Sequence, residues 1–314
     1  MPASAALAVA LAAGLDAAFA EPPARVHPVA LLGRLLSRLD PSSESNPQSP
    51  SHPQLRGALL ALLAPLAFAA VAGAVVAAGG FLSTWVAAAL AGLLLFSTTS
   101  LRMLLDAARD VTLAADSDLE TARRELRALA GRDASALDAA HVRSAAVESV
   151  AENLADGLVA PLLGFAVCAP VSLPLAAAAA AWVKGVNTLD SMFGYRSNPL
   201  GRAPARLDDA VMWLPARLSA VLLAASVFRF ALPLSARVRT LARRPPSPNS
   251  GWPMATMAAV LPARLVKPGV YDLDPASDAA GTPLPTPADA TRALRVTNRA
   301  GLLAFALAGV VAWV

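Results

Sequence analysis

The sequence predicts an all-α, polytopic integral membrane protein of about five to six membrane segments, some broken or re-entrant, joined by helical loops. Three observations carry that prediction. The 314-residue chain is 56% hydrophobic and only 15% charged, with mean hydropathy +0.54, whereas globular domains carry about 25% charged residues. Its apolar residues fall in runs near 3–20, 57–80, 82–101, 155–183, 211–234 and 300–314, and a helix needs roughly 20 such residues to cross the hydrocarbon. Most of the arginines sit in the loops between those runs.

In the first run, Ala18-Phe19-Ala20 resembles a signal-peptidase site, but Asp16 interrupts the run and no Lys or Arg precedes it. An anchored first helix is therefore expected. His27-Pro28 then leads into the helix-like VALLGRLLSRLD. Residues 57–101 read as two helices turning at Gly79-Gly80. Leu101 to His141 is amphipathic and rich in arginine (Arg109, Arg123, Arg124, Arg127, Arg132), a solvated helical region with Gly131 as a helix stop. Residues 272–297 read as an irregular surface connection into a short helix. The whole chain, 1–314, is expected to form one membrane-embedded domain, with 102–147 and 235–299 as cytoplasmic segments.

Charge poses a parity problem. The loops at 21–56, 102–147, 184–210 and 235–299 are all basic, so the positive-inside rule puts all four in the cytoplasm. That fails if 155–183 and 211–234 each cross once. The first contains Pro161, Pro170 and Pro174, the second Pro215 and Pro233. Proline breaks helices, so at least one of these runs is expected to dip in and return.

Several chemistries are disfavoured. One cysteine, Cys168, lies in an apolar run and reads as a small core residue. His27, His52 and His141 are far apart and lack zinc spacing. The net charge of +4 suits anionic lipid or phosphate-bearing substrates; no basic-aromatic groove pattern points to nucleic acid. There is no Walker A loop, kinase glycine loop or Rossmann fingerprint.

The polar constellations stand out against this background. Glu148, Glu152 and Asp156 recur every four residues, along one helix face. Like charges in a row repel, so a divalent metal with phosphate oxygens, or an arginine cluster, is expected opposite. Asn153 lies between them. The stretch 184–218 packs charged, amide and aromatic residues between two apolar runs, as a polar site at a membrane surface requires. In it Lys184, Asn187 and Asp190 share a helix face, Lys184 also reading as a snorkelling interface lysine. Arg206, Asp208, Asp209 and Arg217 form either an internal salt-bridge network or a phosphate clamp oriented by carboxylates. Trp182 and Trp213 bracket the stretch as interfacial residues. Further on, Asn249 and Ser250 in the turn before an apolar helix are placed to orient a ligand. His27 is a candidate acid–base or binding group.

Four blocks, HPVALLGRLL (27–36), GRDASALDAAHVRSAAVESVAENLADGLVAPLLG (131–164), KGVNTLDSMFGYRSNPLGRAPARLDDAVMWLPARL (184–218) and PSPNSGWPMATMAAVL (246–261), together resemble the adenosylcobinamide-phosphate synthases of cobalamin biosynthesis, the CobD/CbiB family. The resemblance implies a multi-pass protein of the inner (cytoplasmic) membrane with its functional loops cytoplasmic. The implied reaction joins adenosylcobyric acid to 1-amino-2-propanol or its phosphate at the f side-chain carboxylate, with ATP as energy source and Mg2+ as its companion. Expected partners are the corrinoid, the amine and the lipid bilayer, together with a second copy of the chain or other corrinoid-pathway enzymes. On this reading Glu148, Glu152 and Asp156 hold Mg-ATP, with Asp208 or Asp209 as a second ligand set. Lys184, Arg206 and Arg217 hold phosphates; Asn187, Asp190, Tyr195, Asn249 and Trp252 shape the corrinoid pocket; Asp190 or His27 takes the amine proton. Two departures from the family pattern are Ala20-Glu21-Pro22, where many relatives have Gly-Asp-Pro or Gly-Glu-Pro, and proline at 245 and 246, where a histidine is common. A corrinoid carrier and a non-catalytic paralogue are the alternative readings.

Overall fold

The computed structural model describes residues 2–37, 52–194, 198–276 and 281–314. Tyr195 lies outside the described residues. Helices α1 (Pro2–Phe19) and α2 (Pro28–Ser37) lead to α3 (Pro53–Leu82) and α4 (Thr84–Thr98). The turn between α3 and α4 falls at Ser83, not at Gly79-Gly80. Ser83 is extended and its Oγ accepts the Val86 N–H, and serine is a strong N-cap. Both glycines stay helical; Gly79 is buried where a Cβ would collide with Leu90, so it lets the two helices close up.

The next helices are α5 (Leu101–Ser117), α6 (Leu119–Ala130) and α7 (Ala139–Leu154). Gly131 ends α6 with φ 61, the left-handed cap expected of it. From α7 the chain runs through a π-helical turn, Ala155–Val159, into α8 (Ala160–Cys168), and after a break α9 (Leu173–Phe193) follows. Then come α10 (Arg202–Val211), α11 (Trp213–Ala225), α12 (Ala236–Leu241) and α13 (Gly251–Val260). Strands β1 (Leu265–Lys267) and β2 (Tyr271–Leu273) pair antiparallel, and α14 (Pro287–Trp313) closes the fold.

Two expectations need correcting. The 211–234 run forms an apolar helix only over the 13 residues of α11, about 20 Å at 1.5 Å per residue, well short of the roughly 30 Å hydrocarbon core. Residues 272–297 are not all irregular: β2 opens the segment, and helix starts at Pro287, so the last helix has 27 residues rather than being short. Among the described residues five helical stretches are long and apolar enough to span a bilayer: Pro2–Phe19, Pro53–Leu82, Thr84–Ser117, Ala139–Cys168 and Pro287–Trp313. The protein is an all-α, multi-pass membrane protein.

The chain packs as two compact units. The first comprises Met1–Ser100, Ala160–Met212 and Phe305–Val314, the second Leu101–Val159 and Trp213–Ala304. In the first unit α9 lies antiparallel to α3: Gly185 meets Pro65, and Gly73 meets Pro174 and Ala178. Within the α8–α9 hairpin Gly164 meets Ala179 and Val183. The break at Ala169–Ser172, which contains Pro170, therefore lies at the end of the unit where α3 finishes. The polar second half of α9 lies where α3 starts. The break at Pro170 is of the kind that the prolines of the 155–183 run predict.

In the second unit α5, α6 and α7 bury Val111, Ala122, Leu126, Val142 and Ala145 among themselves. The β1–β2 ribbon and α13 pack on α7, and α11 packs on α13. The segments 102–147 and 235–299 both belong to this unit.

Candidate functional site

Glu148 is the hub of the second unit's polar centre. It projects from α7 with its side chain only 3% exposed, and Arg132, 13% exposed, lies 3.3 Å away. Tyr271 on β2 donates its hydroxyl to Glu148 Oε2 at 2.7 Å. Ser144, one turn earlier, donates to Oε1 at 2.8 Å and accepts the Val266 N–H at 2.8 Å. A buried carboxylate is tolerable only when its charge and its lone pairs are met, and here they are. The cation opposite the carboxylate row is thus an arginine. Arg132, expected in a solvated basic segment, is instead half of a buried pair. Burial and the neighbouring Glu148 push the Tyr271 hydroxyl well above the usual phenol range, so it keeps the proton that it donates to the carboxylate.

Glu152 and Asp156 continue the row, both half-buried. The charge of Glu152 reaches Tyr271. Asp156 sits in the π-helical turn, which departs from the regular α repeat that the four-residue spacing assumes. Asn153 is half-buried beside them. Among the described residues no three His, Cys, Asp or Glu side chains converge as a metal-ion cage. Magnesium bound with a nucleotide takes one or two carboxylates, with phosphates and waters completing its shell. The row supplies carboxylates of that kind, and Glu148 would first have to release Tyr271, Ser144 and Arg132.

The same unit fixes the turn before α13. Arg217 on α11 lies between two indoles, its guanidinium carbon 4.6 Å from the Trp213 ring centre and 4.9 Å from that of Trp252. Its Nη1 donates to Asn249 Oδ1 at 2.6 Å and to the Trp213 carbonyl at 2.9 Å, and its Nη2 donates to the Pro248 carbonyl at 3.2 Å. Asn249 is buried. Gly251 begins α13 against the Ala242 carbonyl, where a Cβ would clash. Sequence spacing does not bring Arg217, Asn249 and Trp252 together; the fold does.

The first unit has its own polar centre, where α9 ends. Lys184, Asn187 and Asp190 are half-buried along α9. The charge of Lys184 reaches both Glu21 and His27, and His27 Nε2 lies 3.8 Å from Glu21 Oε2. The negative charge of Asp209 on α10 reaches Asp190, and burial pushes Asp209 above the ordinary carboxylate range. Asp208 is half-buried and Arg206 exposed. Glu21 and Tyr271 are the residues that sequence reasoning missed. Glu21 was visible only as a departure from a family motif, and Tyr271 carried no local signal.

The family profile described as CobD/Cbib protein matches residues 9–297. The chain belongs to the CobD/CbiB family. Among CobD/CbiB relatives, the probable cobalamin biosynthesis protein CobD of Methanothrix thermoacetophila is 35% identical over 308 residues, covering 96% of this chain and 95% of that protein. The cobalamin biosynthesis protein CobD of Rhodobacter capsulatus is 37% identical over 313 residues, 92% of each chain. The probable CobD of Thermococcus kodakarensis is 38% identical over 269 residues, 83% of this chain and 82% of its own. No solved structure matches. Membership of the CobD/CbiB family gives the chain a role in cobalamin biosynthesis.

Proposed function

We propose that the protein is an amide-bond-forming ligase of the cytoplasmic membrane, an adenosylcobinamide-phosphate synthase. It joins the f side-chain carboxylate of adenosylcobyric acid to 1-amino-2-propanol or its O-phosphate at the expense of ATP, with its polar loops in the cytoplasm. The observation that carries this reading is the polar centre at the end of α9. Lys184, Asn187 and Asp190 lie along the polar end of α9, with Asp209 of α10 in electrostatic reach of Asp190 and itself pushed upward by burial. Membrane-edge ionisable groups are costly and usually functional, and perturbed acids cluster at sites of chemistry.

Amide formation from a carboxylate is uphill in water, so the carboxylate must first be activated. Transfer of the γ-phosphoryl group to a carboxylate oxygen gives an acyl phosphate and ADP. The amine nitrogen then forms the C–N bond as the C–O bond to phosphate breaks. Such chemistry needs positioning and charge stabilisation more than covalent help from the protein. Mg2+ arrives with ATP as part of the substrate and neutralises phosphate charge. Glu152 and Asp156 would be its protein ligands in the second unit, and Asp208 or Asp209 would supply a separate set in the first. Glu148 holds α7 to the ribbon beside the former pair. Lys184 and the exposed Arg206 attract the phosphate of a phosphorylated donor. In the second unit Arg217 holds Asn249 and Trp252 in place for contact with the corrinoid; in the first unit Asn187 and Asp190 are the proposed corrinoid contacts. A second copy of the chain or another corrinoid-pathway enzyme is a proposed partner.

Purified protein in nanodiscs, given adenosylcobyric acid, aminopropanol phosphate, Mg2+ and ATP, tests the reading by mass spectrometry of the corrinoid. The expected result is a mass gain matching the amide, lost when ATP or the amine is omitted. Corrinoid binding without any product would point to a carrier or a non-catalytic paralogue.

A further inference from the structure

We propose that Glu21 is a further catalytic residue of this site, the base that takes the proton from the incoming amine, and that His27 is the residue that positions it. This rests on the ligase reading and reassigns its proton transfer.

The Val29 N–H donates to His27 Nδ1 at 3.2 Å. Nδ1 is therefore the acceptor nitrogen, and a neutral ring carries its proton on Nε2. The surroundings keep the ring neutral: burial lowers its pKa, and the Lys184 ammonium lowers it further. The Nε2–H group faces Glu21 Oε2 across 3.8 Å, longer than a hydrogen bond, as catalytic contacts without substrate often are. So His27 offers Glu21 a donor and has no free lone pair with which to act as a base.

Glu21 is the better-placed acceptor. The chain leaves α1 through Ala20 at φ 63, and a Glu21 N–H to Phe19 carbonyl bond of 2.7 Å fixes the turn. The Glu21 side chain is 30% exposed. Three charged or titratable groups bear on it: His27 from α2's start, Lys184 from α9 and Asp16 from α1. Burial raises its pKa, Lys184 opposes that, and Asp16 adds to it, which brings the carboxylate closer to the working range of a general base. Glu21 also lines a cavity of about 690 Å³ walled by Pro22, Val26, Leu90, Leu94 and Phe96, with Ser97 as another polar liner. The exposure of its side chain, rather than the largely apolar cavity, leaves the carboxylate open to a charged amine. The carboxylate and the nearby ammonium complement the two ends of an aminoalkyl phosphate: Glu21 faces the ammonium, Lys184 the phosphate. Glu21 takes one proton from that ammonium. The nitrogen lone pair attacks the activated carbonyl carbon, phosphate departs with the C–O electron pair, and the second proton leaves with it.

The test is kcat/KM for the amine against pH, with corrinoid affinity as a control, for wild type, Glu21→Gln, His27→Gln and His27→Asn in nanodiscs. Glu21→Gln is expected to lower kcat/KM for the amine about 100-fold, to lose the acid limb of the profile, and to leave corrinoid affinity unchanged. The amide of His27→Gln can supply an N–H near the place of Nε2, and this variant stays within about tenfold of wild type, as a positioning role requires. His27→Asn keeps an acceptor near Nδ1 for Val29 but lacks the donor; it falls toward Glu21→Gln and shifts the acid limb. A wild type that makes the amide while Glu21→Gln keeps its rate and profile would overturn the role of Glu21 alone. The reverse order of the two His27 variants would overturn the positioning argument. A wild type that makes no amide would overturn the ligase reading, and this assignment with it.

Discussion

Glu148 illustrates how far a single residue can be understood from its contacts. Its carboxylate is held by Arg132, Tyr271 and Ser144 in a nearly solvent-free setting. Removing one partner of a buried pair leaves an uncompensated charge, at a cost of about 3–5 kcal/mol. Arg132→Ala should accordingly lower the melting temperature in detergent sharply, whereas Tyr271→Phe should cost only about 1–3 kcal/mol. A role in metal binding alone would predict little stability loss from either. Glu152→Gln should behave in the opposite way: a fold and melting temperature close to wild type, and turnover reduced about 100-fold at saturating Mg2+ and ATP. Turnover unchanged by that substitution would sink the metal assignment. The sequence made Glu148 legible as one of a row, because helix neighbours are local. Its partners were not legible: Arg132 is 16 residues away across a loop and Tyr271 is 123 away.

At the scale of elements, local rules succeeded where one residue decides an outcome. Gly131 stops α6, and Pro170 sits where α8 breaks from α9. They failed where two signals competed. Gly79-Gly80 looks like a turn, but both residues stay helical, Gly79 packed where a Cβ would meet Leu90, and the Ser83 cap makes the turn three residues later. The α8–α9 hairpin has a direct consequence for topology. Leu82 and Val171 are 79% and 66% exposed at one end of the first unit, and the exposed Arg202 follows α9 at the other. In a Cys168→Ser background, Leu82→Cys and Val171→Cys should react with an impermeant thiol reagent from one face of sealed vesicles and Arg202→Cys from the opposite face. Labelling of Val171→Cys from the same face as Arg202→Cys would contradict a returning hairpin.

For the whole molecule, composition and apolar runs made the membrane class legible, and four polar blocks made the CobD/CbiB family legible. The chemistry was less so, because it depends on which side chains meet, and the fold distributes them over two units. Each unit contributes a polar centre: a carboxylate row backed by a buried arginine in the second, and a lysine with half-buried acids in the first. The central claim is that these centres serve activation of a corrinoid carboxylate by phosphoryl transfer. Its most direct test supplies adenosylcobyric acid labelled with 18O in the f carboxylate, together with amine, Mg2+ and ATP, and follows the label. The account predicts one labelled oxygen in inorganic phosphate for each amide formed, with ADP as the nucleotide product. Amide formation with the label in AMP, or with none in phosphate, would contradict it.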